Sequence, residues 1–96
     1  MKAYLLVFEA SEVDRKVVKA VIDTLPEIQN WHAFFGNTMC LAADIGANRL
    51  ARRIHEALPQ LTYILTEVQP DHKGGRIPRS VLSFLNEPQP VQAETS

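Results

Sequence analysis

The order of hydrophobic periods constrains this chain more than any single motif. Ala3 to Glu9 alternates with period two, and Val13 to Leu25 repeats with a helical period. Two strand-like runs follow, hinged at Gly36-Asn37. A second helical period covers Ala47 to Leu58, and a last strand-like run covers Leu61 to Val68. The order is β-α-β-β-α-β. Right-handed crossovers then place the first and third strands side by side in the middle of one sheet.

The expected fold is therefore α+β, a ferredoxin-like βαββαβ plait. Its four-stranded antiparallel sheet runs in the order 4-1-3-2, with two helices on one face and a short C-terminal helix. The second and fourth strands are edges, open to pairing with another chain. Ala3, Leu5 and Val7 alternate with Tyr4, Leu6 and Phe8, so both faces of the first strand are apolar, as in a strand covered on both sides. The two helices cover one face. A second subunit is an economical cover for the other, unless the third helix folds back across it.

Local signals sharpen the outline. Ser11 is the expected N-cap of the first helix, with Asp14 three residues on as in a capping box, and Pro26 stops that helix. Gly36-Asn37 suits a two-residue type II′ hairpin. Trp31, Ala33 and Phe35 are expected on one face of the second strand, with Asn30, His32 and Phe34 on the other. Pro59 ends the second helix. Pro70 to Arg76 is a polar loop, and Pro78 opens a third helix anchored by Val81, Leu82 and Leu85. One domain spans 1–86. Residues 87–96, rich in Pro, Gln, Glu, Thr and Ser, are expected to be a disordered tail.

At 96 residues the chain holds one core. A net charge of -1 gives no global attraction to nucleic acid or anionic membrane, so a polyanion site has to be local. The single Cys40 leaves no intrachain disulfide. No apolar run approaches a membrane span, and the first residues lack a signal-peptide pattern. A cytoplasmic setting is the expectation.

Chemistry can sit in few places. Glu9 ends the first strand, and Asp44 ends the third. If the two approach each other, they could hold Mg²⁺, which needs few protein ligands; each also reads as a solvated loop acid or a helix cap. Lys73, Arg76 and Arg79 flank Gly74-Gly75 ahead of the third helix, a composition that suits a phosphate and equally suits a solvated connector. Arg49, Arg52 and Arg53 make a basic stripe on the second helix, which also reads as a wet face. His32, His55 and His72 have no metal-ligand spacing. Cys40, between Met39 and Leu41, reads as a buried small hydrophobe.

The acid ending the first strand, the Trp31-His32 strand and the hairpin resemble the SinR-like group. So do the Leu61 to Val68 strand and the closing Gly75-Arg76-Ile77-Pro78 helix. That group is similar in turn to the CRISPR-associated small endoribonuclease and the virulence-associated protein D toxins. The resemblance covers most of residues 3 to 86 and is topological. It implies a homodimer, nucleic-acid binding and, in some relatives, RNase activity. In the metal-dependent members an aspartate ends the first strand and faces its twin across the dimer axis. Glu9 holds the matching position here, and its longer side chain departs from that pattern.

The leading expectation is a homodimer that binds RNA or DNA through Arg49, Arg52, Arg53, Lys73, Arg76 and Arg79. A catalytic variant would use Glu9 with Mg²⁺, giving a vestigial metal-dependent RNase. The alternative is a regulatory module that binds protein through a sheet edge or the outer sheet face, with Trp31, Phe35 and Tyr63 as anchors.

Overall fold

The computed structural model describes residues 1–90. The strands are β1 (Lys2–Phe8), β2 (Ile28–Phe34), β3 (Thr38–Ala43) and β4 (Tyr63–Glu67). The helices are α1 (Arg15–Thr24), α2 (Ala47–Ala57) and α3 (Arg79–Asn86), with a 3-10 turn at Pro70–His72. The sheet order is β2-β3-β1-β4, which is 4-1-3-2 from the opposite edge, and every neighbouring pair is antiparallel. This is an α+β fold whose strand order is consistent with a plait.

The helices form where apolar residues recur four apart. Val18 and Ile22 are the buried pair of α1, and Leu50 and Ile54 that of α2. Both pairs pack on Tyr4, Leu6, Met39 and Leu41 in one core. Each fully buried side chain of this size contributes roughly 1.5–3 kcal/mol by leaving water. The cap of α1 is Asp14, not Ser11. The Asp14 carboxylate accepts a hydrogen bond from the Lys16 amide at 2.8 Å, satisfying a first-turn donor.

Two tyrosines tie strands to α2 and its approach. The buried Tyr4 hydroxyl donates to the Ile45 carbonyl at 2.6 Å, and Tyr63 donates to the Ala51 carbonyl at 2.7 Å. Burial raises the pKa of both phenols, with the Glu67 charge adding to the effect at Tyr4.

The opposite sheet face has a helix of its own. Val81 and Leu85 of α3 pack on Ala3 and Cys40, with Leu5, Phe34 and Val68 around them. The third helix therefore does fold back, which weakens the argument that only a second subunit can cover this face. Its cover is incomplete: Phe35, Ile64 and Leu82 stay exposed.

Two local expectations need correction. The hairpin has three loop residues, because Phe34 pairs with Thr38. The residue with positive φ is Phe35, at 57°, rather than Gly36. Phe35 thus leaves the strand and does not share a face with Trp31 and Ala33. Residues 87–90 of the expected tail are placed, and the Asn30 side chain donates to the Gln89 carbonyl at 3.0 Å. Residues 91–96 lie outside the described residues.

Candidate functional site

The antiparallel register separates the two acids proposed as a metal pair. Glu9 follows the end of β1, where its amide donates to the Thr62 carbonyl at 2.9 Å. Asp44 follows Ala43, which pairs with Lys2 at the other end of β1. The length of β1 lies between them, roughly 20 Å at about 3.4 Å per residue. Neighbouring antiparallel strands have their carboxyl ends at opposite edges of the sheet, so the expected Glu9–Asp44 pairing is overturned within one chain. Asp44 Oδ1 lies 3.6 Å from the Met1 amino group. Glu9 Oε1 accepts hydrogen bonds from the Ser11 amide at 3.2 Å and the Ser11 hydroxyl at 3.0 Å, closing a local turn. Among the described residues, no three His, Cys, Asp or Glu side chains gather as a metal cluster.

The six expected phosphate contacts fall into two groups. Arg49, Arg52 and Arg53 lie on α2, on the face shared with α1. Lys73, Arg76 and Arg79 belong to the segment that crosses the other face. The sheet stands between the groups. Arg53 is also forked between Glu27 and Glu56, both at 2.8 Å. Hydrogen bonding at its own backbone, then Arg53, holds the Glu27 carboxyl below its usual range. Arg76 and Arg79 are exposed, whereas Lys73 is half-buried and bonded to the Asn86 side chain.

The three expected anchors separate in the same way. Trp31 packs against the helix-face core, its indole N–H donates to Asp23 at 2.8 Å, and the Lys19 ammonium sits 6.0 Å from the ring centroid. Tyr63 packs against that same core. Of the three, Phe35 alone lies beside the outer face, with its ring 4.8 Å from that of Phe34.

The outer face is where the structure leaves apolar surface in water. Strand register sets up cross-sheet rows there: His32, Cys40, Leu5 and Thr66 form one, and Phe34, Thr38, Val7 and Ile64 the next. The third helix packs over Cys40 and Leu5. The row through Val7 runs past it to Ile64, which is 64% exposed. Phe35 at 63% and Leu82 at 40% continue this apolar surface. Between α3, the Gly74-Gly75 loop and the sheet lies a cavity of about 470 Å³. Leu5 and Val7 line it from the sheet, Phe34 and Phe35 from the hairpin, and Ile77 and Leu82 from the α3 segment.

Reasoning from the sequence missed this cavity. The available signals were the second apolar face of β1, at Leu5 and Val7, and Leu82, which lies off the Val81–Leu85 stripe. Cys40 matches the reading given to it: it is buried, its thiol reaches the His32 carbonyl at 3.4 Å, and burial pushes its pKa up to about 11. Comparison with protein-family models, curated proteins and solved structures finds no match for this chain.

Proposed function

We propose that this protein works as an interaction module and that its first partner is a second copy of itself, docked through the outer sheet face. The observation that supports this most is the apolar surface continuing from Val7 to Ile64, Phe35 and Leu82 beyond the edge of α3. Contiguous exposed apolar surface of this kind is characteristic of association sites. A two-fold pairing would set the same patch against itself, so one surface serves both subunits. The resemblance to the SinR-like group also implies a dimer.

Concentration-dependent NMR tests the reading. Methyl signals of Val7, Ile64 and Leu82 should shift between dilute and concentrated samples, while those of Val18, Ile22 and Leu50 stay in place. Outer-face methyls that do not respond to concentration would overturn it.

Nucleic-acid binding has narrower support, in the grouping of Lys73, Arg76 and Arg79 on one segment. Its other three cations lie across the sheet, and Arg53 is engaged by two glutamates. Phosphate contacts make log affinity fall linearly with log salt. A salt titration with short RNA and DNA therefore separates the readings: a steep slope favours nucleic acid, and no binding at low salt removes it.

A further inference from the structure

We infer that the outer surface of the α1–α2 layer binds the phosphate backbone of a nucleic-acid duplex. Charge is unevenly divided along this chain. The two helices carry six of its ten Lys and Arg residues but two of its eleven acids, while the whole chain has a net charge of -1. Both helices cover the sheet face opposite the surface proposed for self-docking, so this inference does not rest on that reading.

Two of the six cations are engaged within the fold. Arg53 bridges Glu27 and Glu56, and the Lys19 ammonium lies by the Trp31 ring. Arg15, Lys16, Arg49 and Arg52 make no ion pair among the described residues. Lys16, Arg49 and Arg52 are exposed, and Arg15 is half-buried. Asp14, beside them in sequence, is turned to the α1 backbone as its cap.

The placement of these four selects an extended anion. β1 and β3 are antiparallel, so the crossovers that follow them, α1 and α2, also run in opposite directions. Arg15 and Lys16 open α1, and Arg49 and Arg52 lie in the first half of α2. The two pairs therefore sit toward opposite ends of a layer roughly 15 Å long at about 1.5 Å per residue. One phosphate cannot meet both pairs, whereas a duplex presents a charge every roughly 1.7 Å of its axis. The three arginines add planar forks that match phosphate oxygens. Neither helix contains Phe, Tyr or Trp, so the layer has no platform on which unpaired bases would stack. Contact with the backbone alone carries little sequence preference. Val17 is the only exposed large hydrophobic residue on either helix among the described residues, too little apolar surface to anchor the layer in a bilayer.

The test is fluorescence anisotropy with a mixed-sequence duplex of about 20 base pairs, as DNA and as RNA, against oligo(dT) of the same length. Both duplexes should bind at low salt with Kd below about 100 µM, at least about threefold more tightly than the single strand. Log affinity against log salt should have a slope of about -3.6, near 0.9 for each of four contacts. Arg15→Gln/Lys16→Gln and Arg49→Gln/Arg52→Gln, read on variants that melt as the wild type does, should each reduce that slope by about 1.8 and weaken binding at least about tenfold. Arg49→Lys/Arg52→Lys keeps the charge and should keep the slope. No duplex binding at low salt, tighter binding of the single strand, or an unchanged slope in both glutamine variants would overturn the inference. So would adsorption to phosphatidylserine vesicles without duplex binding. Loss of duplex binding in Arg76→Gln/Arg79→Gln, with none in the helix variants, would also overturn it by assigning the contacts to the other side of the sheet.

Discussion

Replacing Phe35 by glycine should change the stability of this protein little, although it removes a large apolar side chain. Phe35 has φ of 57° and is 63% exposed. The left-handed region costs an L-residue roughly 1–2 kcal/mol, and glycine is free of that cost. Glycine's extra freedom in the unfolded chain returns roughly 0.5–1 kcal/mol. The ring contact with Phe34, at 4.8 Å and tilted by 53°, is largely in water and is worth about 0.5 kcal/mol, the low end for aromatic pairs. These terms leave Phe35→Gly between about 0.5 kcal/mol less stable and 1 kcal/mol more stable. Its neighbour Phe34 is half-buried on a regular strand, so Phe34→Ala should lose about 1–3 kcal/mol, below the roughly 3–5 kcal/mol of a fully buried phenylalanine.

Urea unfolding followed by Trp31 fluorescence reads both variants. The comparison belongs in the Ile64→Lys background, so that the self-association proposed above does not mix with loss of folding. The m-value should stay constant while the midpoint moves. A Phe35→Gly loss equal to that of Phe34→Ala would refute the assignment of strain to position 35.

Three further outcomes follow from individual contacts. Tyr4→Phe should cost about 1–3 kcal/mol by stranding the Ile45 carbonyl, while Tyr63→Phe, at a half-buried site that water can reach, should cost less than about 1 kcal/mol; thermal melts of the two compare them. Between pH 9 and 11 the unfolded chain loses the Cys40 proton before the folded chain does, so stability should fall as pH rises through that window, by up to about 3 kcal/mol; the difference between wild type and Cys40→Ala in urea midpoint isolates this from the tyrosines, and native Cys40 should resist thiol reagents at neutral pH. The depressed carboxyl of Glu27 stabilises the fold above its unfolded pKa, and that contribution is lost as pH falls through the folded value; Glu27→Gln should flatten the acid limb of a pH–stability curve.

Much of the architecture was legible because period and burial agree. Tyr4, Leu6 and Phe8 against Leu5 and Val7 gave β1 two apolar faces, and the structure covers each face with a different set of helices. The Val81–Leu85 spacing identified α3 but not where it docks, since docking depends on the path of the 70–78 connection. The chemical readings were less secure because proximity depends on strand direction. Glu9 and Asp44 each end a strand, and only the antiparallel pairing shows that those ends are opposite. Trp31 and Tyr63 looked like anchors by type, yet both turn to the helix face, where one bonds Asp23 and the other Ala51. Phe35 resisted sequence reasoning because glycine at 36 is the expected carrier of positive φ, and the hairpin instead places it one residue earlier.

The most direct test of the account is sedimentation velocity at micromolar concentration on the wild type and Ile64→Lys. Association through the outer sheet face predicts a wild-type dimer and an Ile64→Lys monomer that melts as a folded protein. A wild type that sediments as a monomer, or an Ile64→Lys variant that remains fully dimeric, would contradict it.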